Sequence, residues 1–239
     1  IVPSEALQKI AEFCNKYLVC DEEVKSYLSK RDISLDSIER FKIGAWPRNS
    51  FAIRKSLDDS CLREAKVLWD DKTTNQEIVK FQHHRLVMPM YDANGNCVSI
   101  MGRTIHNTEK QKTLGLPKYI NTGYQKRLHL FGLNLVKNSI RESNKALVVE
   151  GNLDVIKAHQ NNMFNVVCAT GSNLTLEQFI LLSRYTNNIY LGFDNDTAGD
   201  EATVKALLLA RNGTILEEKR VPKKYKDLDE YLTAKRAKI

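Results

Sequence analysis

Apolar segments of strand length alternate with segments of helical periodicity from residue 146 onward. The apolar segments span residues 146–150, 165–169, 188–194 and 214–218, and the helical ones lie near residues 153–160, 176–184 and 198–211. Strands that are each followed by a helix join one sheet when the chain crosses over between parallel neighbours, and such crossovers are right-handed. The pattern therefore predicts an α/β fold with a parallel sheet flanked by helices.

Acidic residues stand at the ends of two of these apolar segments. Glu150 ends the first, Asp194 ends the third, and Asp196 follows two residues later. Because the carboxyl ends of parallel strands meet at the edge where open α/β folds bind ligands, we expect the three carboxylates to gather there. A single carboxylate at a strand end is better explained as the cap of the following helix. Three of them, with Gly151 and Gly199 nearby in the sequence, favour a ligand site.

Clustered carboxylates restrict the kind of ligand that such a site can hold. Like charges within a few Å raise one another's pKa unless a cation is present, so a cluster that stays ionised implies a divalent metal. Oxygen ligands without His or Cys suit Mg²⁺ or Mn²⁺. The sequence therefore predicts a magnesium or manganese site at this edge of the sheet.

The net charge of +7 comes entirely from the middle of the chain. Residues 83–145 carry 10 Lys and Arg against 3 Asp and Glu, whereas residues 1–82 carry 14 of each sign and residues 146–239 carry 12 of each. A concentration of this kind is what a surface that binds a polyanion requires. A solvated basic surface is the alternative, and charge alone does not choose between the two.

The part of the chain before residue 145 combines helices with β-hairpins. The first third is mostly helical, with a third helix expected after Ser34. Residues 66–69 and 78–81 form one predicted hairpin. Residues 86–91 and 97–100 form another about Asn94 and Gly95, a pair that supplies the positive φ of a tight turn. A mixed α+β subdomain is therefore predicted over residues 1–144 and the parallel sheet over residues 145–239.

Several classes of protein are excluded by composition and motif content. The chain is 42% hydrophobic and 27% charged, and its apolar runs are far shorter than the roughly 20 residues that span a bilayer, so we expect a cytoplasmic protein with no membrane contact. No G-x-x-x-x-G-K-[ST] sequence occurs, which argues against an NTP-hydrolysing motor. The cysteines are widely spaced and form no C-x-x-C pair, so they predict reduced thiols and no structural zinc. They are Cys14, Cys20, Cys61, Cys97 and Cys168.

Two short acidic motifs resemble those of a known family. The sequence E-G-N-L-D at residues 150–154, followed by F-D-N-D-T-A-G at residues 193–199, resembles the Toprim pair E-G-x-x-D and D-x-D-x-A-G. This pair occurs in bacterial-type primases, type IA and type II topoisomerases, small ribonucleases and repair proteins. By itself the resemblance implies the fold and the metal but not the reaction.

Segments outside the motif pair narrow the resemblance to one of these classes of protein, the primases. Several are similar to the nucleic-acid-handling subdomain of DnaG-type primases, and one to the late acidic motif of that family. The former are residues 24–44, 85–103, 117–122 and 126–133, and the latter is K-D-L-D-E at residues 226–230. The resemblance covers about residues 20–232 in the order that the family has, and this collinearity makes it specific.

The resemblance implies a Toprim-type parallel sheet flanked by helices and preceded by a mixed α+β basic subdomain, and it implies roles for individual residues. The implied catalytic residues and metal ligands are Glu150, Asp194 and Asp196, with Asp154, Asp227 and Asp229 as further acidic members of the metal site. The residues implied to contact nucleotide or nucleic acid are Arg85, Arg103, Lys118, Tyr119, Asn121 and Lys126.

Some positions depart from the family pattern. Asn152 and Leu153 replace an aromatic residue and a methionine, Met101 replaces a glycine, and residues 108–116 lengthen the loop before Pro117. The longer loop bears on how Lys118 is presented, not on whether it is there. The family's zinc module and helicase-binding tail have no counterpart in this sequence, so we expect an excised catalytic core.

The activity implied by the resemblance is synthesis of short RNA primers from NTPs on a single-stranded DNA template, using two or more Mg²⁺ or Mn²⁺ ions. The resemblance also implies that the protein acts at the replication fork. Its expected partner there is a replicative helicase, which binds through regions that this chain lacks. A Toprim nuclease, which directs water at a phosphodiester, is the first alternative. A DNA-binding module with a vestigial acidic cluster is the second, and a topoisomerase is the least favoured.

Overall fold

The computed structural model describes residues 5–171, 173–211 and 213–236. Within this part of the chain two compact units are present. The first contains the described residues up to Met90 together with Asn96–Tyr124. The second contains Tyr91–Gly95 and the described residues from Gln125 onward.

The first unit combines six α-helices, one 3₁₀ helix (Leu18–Cys20) and six strands among its described residues. The helices are α1 (Glu5–Tyr17), α2 (Glu22–Lys30), α3 (Leu35–Arg40), α4 (Phe51–Ser56), α5 (Asp59–Glu64) and α6 (Thr108–Thr113). The strands are β1 (Gly44–Ala45), β2 (Leu68–Asp70), β3 (Glu77–Val79), β4 (Leu86–Tyr91), β5 (Cys97–Arg103) and β6 (Tyr119–Asn121).

Several helices of this unit begin at a residue whose side chain caps them. The Asp21 side chain accepts a hydrogen bond from the Val24 N–H at 3.0 Å, and the Ser34 hydroxyl accepts one from the Ser37 N–H at 3.2 Å. These bonds satisfy N–H groups that have no partner inside the helix. The helix predicted after Ser34 is confirmed as α3.

Two sheets form the β part of the first unit. Strands β1, β4, β5 and β6 are neighbours in that order, and β2 pairs antiparallel with β3, which confirms the hairpin predicted near residues 66–81. A Cβ at Gly44 would collide with the backbone of Cys14 and Asn15, so glycine is what allows α1 to pack so closely on β1. In the turn after β4, Gly95 has a φ of +93°, and its N–H donates to the Asp92 carbonyl at 3.1 Å.

The second unit contains the strand–helix alternation. Its helices are α7 (Leu133–Ser143), α8 (Asn152–Gln160), α9 (Leu176–Ser183), α10 (Thr197–Leu207) and α11 (Leu228–Arg236). Its strands are β7 (Ala146–Val149), β8 (Val166–Cys168), β9 (Asn188–Leu191) and β10 (Ile215–Glu218). The strands lie in the order β10-β9-β7-β8. Every adjacent pair is parallel, which confirms the predicted sheet.

The sheet topology decides which strand ends are neighbours. Strand β7 lies in the interior of the sheet, with Val148 opposite Leu191 of β9 and Val149 opposite Cys168 of β8. Strand β9 ends at Leu191, three residues before the predicted end at Asp194. The residues that follow β7 and β9 therefore leave the sheet side by side.

Helices cover the parallel sheet through a buried apolar cluster. Side chains of β7 and β9 pack with Val136 and Ile140 of α7, Phe179 of α9 and Ala206 of α10. By these contacts α7 belongs with the parallel sheet. The domain boundary predicted from the sequence lies between residues 144 and 145, and it would separate α7 from that cluster. This boundary stays a prediction.

The five cysteines are free thiols, as the sequence predicted, and Cys14, Cys97 and Cys168 are buried. None of the helices in the described part of the chain combines the length and the hydropathy that crossing a bilayer demands.

Candidate metal centre and nucleic-acid interface

Glu150 and Asp194 follow adjacent parallel strands and contact each other. The Asp194 N–H donates a hydrogen bond to the Glu150 carboxylate at 3.1 Å. Both side chains are half-buried at the carboxyl edge of the sheet. The structure therefore brings together the first two of the predicted site residues.

Asp196 lies at the beginning of α10, where its carboxylate accepts a hydrogen bond from the Gly199 N–H at 3.0 Å. Helix capping, the alternative weighed from the sequence, is therefore one function of this side chain. A Cβ at Gly199 would collide with the Asp194 carbonyl oxygen. Glycine at this position consequently allows the helix to begin directly against the turn that carries Asp194 and Asp196.

The other three acidic residues join the cluster from α8 and α11. Asp154, buried in the first turn of α8, accepts a hydrogen bond from the Asp229 N–H at 2.8 Å. Asp227 caps α11 by accepting one from the Glu230 N–H at 2.8 Å. Late acidic residues, remote in sequence from Asp154, are thus held beside it.

The carboxylates of this cluster interact electrostatically. Burial, and then repulsion from Asp227, raise the pKa of Asp154 to about 7, although the hydrogen bond from the Asp229 N–H opposes the change. Burial, and then repulsion from Glu150 and Asp227, raise the pKa of Asp194 to about 6. The pKa of Glu150 is raised as well, mainly by burial. A cation among these groups would relieve the repulsion.

The donor atoms of the cluster fit Mg²⁺ or Mn²⁺, because they are carboxylate oxygens without imidazole or thiolate. Within the described ranges, no three Asp, Glu, His or Cys side chains are already arranged as a ligand group around one point. The ligand set and the number of ions stay predictions.

Two residues that sequence reasoning missed hold the backbone of this site. Arg220 donates hydrogen bonds to the carbonyl oxygens of Asp194 and Gly199. The Asn195 side-chain amide donates to the Val221 and Tyr225 carbonyl oxygens at 3.1 and 2.8 Å. Bonds to main-chain carbonyls follow no sequence motif, so the only signal for either residue was its closeness to the acidic motifs.

In the first unit, Arg103 and Tyr119 meet on the paired strands β5 and β6. The buried Arg103 guanidinium donates to the Tyr27 hydroxyl at 2.9 Å and to the Tyr119 hydroxyl. It also lies over both rings, 5.8 and 5.0 Å from their centroids. These contacts fix the side chain between two aromatic rings.

Lys118 and Asn121 lie close to this group. The exposed Lys118 ammonium is 5.8 Å from the centroid of the Tyr119 ring, and Asn121 is paired with Met101 across β5 and β6. The lengthened loop before Pro117 contains α6, whose first turn is capped by the Asn107 side chain.

Arg85 and Lys126 lie in different surroundings. Arg85 is buried, forms ion pairs with Asp21 and Glu23, and donates through Nε to the Trp46 carbonyl at 3.1 Å. Lys126 is an exposed residue of the second unit, in a short 3₁₀ helix. Contact of the six basic and polar residues with nucleic acid stays a prediction.

Comparison with known proteins finds a matching family model for a large part of each unit. A family model described as the DNA primase catalytic core, N-terminal domain, matches residues 13–137, and a Toprim-like model matches residues 147–232. The chain is 30% identical over 237 residues to the DNA primase of Aquifex aeolicus, a match that covers 95% of this chain and 45% of the relative. The chain spans from about a third to under a half of the length of the curated relatives it matches.

Solved structures agree with the family models. A crystal structure of the zinc-binding and RNA polymerase domains of Aquifex aeolicus primase has a TM-score of 0.84 and 29% identity, over 96% of this chain and 57% of that one. A DnaG primase catalytic domain bound to single-stranded DNA has a TM-score of 0.80 and 27% identity, over 96% and 76%. The predicted fold class and the predicted resemblance are confirmed.

Proposed function

This chain belongs to the DNA primase catalytic-core family, and from that premise we propose that it joins ribonucleoside triphosphates into short RNA primers on a single-stranded DNA template. The observation that carries the proposal is the acidic cluster at the carboxyl edge of the parallel sheet. It occurs in a chain whose preceding residues match the primase core model. A Toprim motif alone is shared by several reactions, whereas that combination favours nucleotidyl transfer.

The acidic cluster would hold the divalent ions that this reaction uses. Glu150, Asp194 and Asp196 would be the ligands, with Asp154, Asp227 and Asp229 beside them. Mg²⁺ or Mn²⁺ bound there supplies Lewis-acid activation of the attacking 3′-hydroxyl and charge neutralisation of the leaving pyrophosphate. Phosphoryl transfer depends mainly on positioning and charge, so no side chain is needed as a general base.

The protein's own contribution is to hold these carboxylates in a defined geometry. The Glu150 side chain accepts the Asp194 N–H, and the Asp229 N–H donates to Asp154, so each pair is bonded before any substrate arrives. Like-charged groups held together in this way are prepared for a cation and would otherwise repel one another.

Template and nucleotide would be contacted through phosphate groups. Lys118 is exposed beside Tyr119 in the first unit, and a lysine ammonium makes charge-assisted hydrogen bonds to phosphate oxygens. Contacts of this kind do not depend on base sequence. The related catalytic domain that has been solved with single-stranded DNA supports this template class.

The family supplies the wider setting of the proposal. We propose that the reaction takes place at the replication fork in the cytoplasm, with a replicative helicase as partner, and similarity to the primase family supports both.

An assay with three outcomes tests the proposal. The purified chain is incubated with single-stranded DNA, labelled NTPs and either Mg²⁺ or Mn²⁺, and the products are separated on a denaturing gel. We expect labelled oligoribonucleotides that disappear with chelator and in the Asp194→Asn variant. Cut template would establish the nuclease alternative, and DNA binding without any product would establish the non-catalytic one.

A further inference from the structure

Arg220 is a nearly buried arginine placed just after β10, and its side chain is 11% exposed. It belongs to none of the acidic motifs, and it lies outside the set of basic residues expected to touch nucleic acid. Burying a guanidinium costs free energy unless its N–H groups are satisfied. The partners of those N–H groups therefore indicate what the residue does.

The Arg220 guanidinium donates hydrogen bonds through both of its Nη atoms, whereas the buried Nε has an ion-pair partner but makes no hydrogen bond with the described residues. Nη1 donates to the Asp194 carbonyl at 3.2 Å and to the Asp200 carboxylate at 2.5 Å. Nη2 donates to the Gly199 carbonyl at 3.0 Å and to the Thr203 hydroxyl at 2.8 Å. Nε forms an ion pair with Glu218 at 2.8 Å.

Most of these partners belong to the turn that carries Asp194 and Asp196 and to the beginning of α10. The Asp194 N–H is held by the Glu150 carboxylate at 3.1 Å, while Arg220 holds the Asp194 carbonyl. The N–H and the carbonyl of Asp194 are therefore both held. Glu150, just after β7, holds the N–H, and Arg220, just after β10, holds the carbonyl.

A guanidinium suits this position better than any other cationic group. Its planar Nη–H groups reach two carbonyls, a hydroxyl and a carboxylate at once, whereas a lysine ammonium has three donors at a single point. Arg220→Lys therefore keeps the charge but loses the simultaneous hold on the Asp194 and Gly199 carbonyls.

We propose that Arg220 is a positioning residue of the metal centre, which fixes the turn from Asp194 to Gly199 so that the carboxylates of Asp194 and Asp196 are arranged for divalent cations. The inference rests on the proposed function for the identity of the ligand. It does not depend on primer synthesis, because metal affinity can be measured without template or nucleotide.

The test compares Mn²⁺ binding to the purified chain by isothermal titration calorimetry. Loss of a residue that orients metal ligands costs about 10- to 100-fold in affinity. We expect Arg220→Lys and Arg220→Gln each to weaken Mn²⁺ at least tenfold while circular dichroism shows a folded protein. Where primer synthesis is measurable, raising the Mn²⁺ concentration should restore the rate in Arg220→Lys.

Asp200→Ala is the matched control. Its carboxylate is 70% exposed, and its removal breaks the Arg220 ion pair but leaves the contacts with the Asp194 and Gly199 carbonyls. We expect Mn²⁺ affinity within twofold of the wild type. An equal loss of affinity in this variant would show that the ion pair, and not the hold on the carbonyls, is what matters.

Other results would overturn the inference. Mn²⁺ affinity within twofold of the wild type in folded Arg220→Lys and Arg220→Gln would contradict it, as would a wild-type chain that binds no Mn²⁺. Unfolding of both variants would assign Arg220 a structural role only. A wild type that binds Mn²⁺ but makes no primers would contradict the proposed function and leave the Arg220 comparison valid.

Discussion

Asp196 caps α10 and is proposed as a metal ligand, and conservative substitution separates these two roles. Its carboxylate caps α10, and asparagine caps helices as well as aspartate does. Asp196→Asn should therefore retain the free energy of unfolding but lose a charge from the metal centre. Glu150→Gln likewise keeps an oxygen that can accept the Asp194 N–H.

We expect Glu150→Gln, Asp194→Asn and Asp196→Asn each to abolish primer synthesis, with the folded structure and DNA affinity nearly unchanged. Gel-based primer assays, thermal unfolding and DNA titrations measure the three quantities. Glu217→Gln, which removes an exposed charge on β10, should retain wild-type activity. Activity reduced less than tenfold at two of the three site positions would contradict the assignment.

Cysteine reactivity provides a separate test at the scale of single residues. Burial raises the pKa of the Cys97 thiol to about 12 and raises those of Cys14 and Cys168 as well, whereas Cys20 is exposed. The thiolate is the reactive form, so the buried thiols should resist iodoacetamide until the protein is denatured. Mass spectrometry after native labelling should find Cys20 modified first. Labelling of Cys168 as fast as Cys20 would contradict the burial of β8.

Residues with motif signals were predicted, and residues that act through backbone contacts were not. Glu150, Asp194 and Asp196 stand in recognisable patterns, and the structure places Glu150 and Asp194 in contact, with Asp196 at the beginning of α10. Arg220 and Asn195 donate to main-chain carbonyls, which any residue supplies, so their partners become known only when the chain is folded. The burial of Arg85 likewise depends on tertiary contacts with residues distant in the sequence, so no local pattern predicts it.

The ion pairs of Arg85 join the beginning of α2 to the beginning of β4. Arg85 and Asp21 are only 8% and 5% exposed, and breaking such a buried pair costs about 3–5 kcal/mol. We expect Arg85→Ala to lower the free energy of unfolding by that amount, measured by urea denaturation. Arg48→Ala, which loses an ion pair with the same Glu23 but is 73% exposed, should cost about 0–1 kcal/mol. Equal effects of the two substitutions would contradict a structural role for Arg85.

Asn195 holds the segment between β10 and α11 beside the acidic turn. Asn195 donates to the Val221 and Tyr225 carbonyls, and its N–H donates to the Lys226 carbonyl at 2.8 Å. Asn195→Ala should cost about 1 kcal/mol of stability for each side-chain hydrogen bond lost. It should also speed tryptic cleavage after Lys223, Lys224 and Lys226. Asn161→Ala, which removes one amide–carbonyl bond on α8, is the control. Unchanged cleavage in Asn195→Ala would contradict this anchoring.

Elements with strong periodicity were predicted better than short ones. The strands and helices of the parallel sheet follow the predicted order, with ends that differ by a few residues. The polar sequence of α6, in the lengthened loop, has no apolar face and depends on the Asn107 cap. Short helices of this kind carry no periodic signal that a sequence analysis can use.

At the scale of the whole molecule, the extent of each unit depends on contacts distant in sequence. Helix α7 precedes the strand–helix alternation in the chain, yet it packs into the apolar cluster of the parallel sheet. No local sequence pattern in residues 133–143 indicates which sheet α7 covers. The change of pattern near residue 145 marks a change of architecture, and packing decides which unit α7 joins.

DNA binding should depend strongly on salt and weakly on sequence. Each phosphate contacted on a single strand lowers log K by about 0.7 per decade of salt, so four to six contacts imply a slope of roughly −3 to −4. Titrations of two unrelated fluorescent oligonucleotides measure both properties. Lys118→Ala should weaken both complexes equally and reduce the slope by about 0.7. A slope near zero, or a strong preference for one oligonucleotide, would indicate base contacts instead.

In the proposed function, the acidic cluster at the carboxyl edge of the parallel sheet binds the divalent ions used in primer synthesis. Anomalous X-ray diffraction from crystals soaked with Mn²⁺ and a nucleoside triphosphate would locate these ions. We predict manganese peaks about 2.1 Å from carboxylate oxygens of Glu150, Asp194 or Asp196, and their loss in Asp194→Asn crystals. Manganese bound only elsewhere, or equally well in both proteins, would contradict the account.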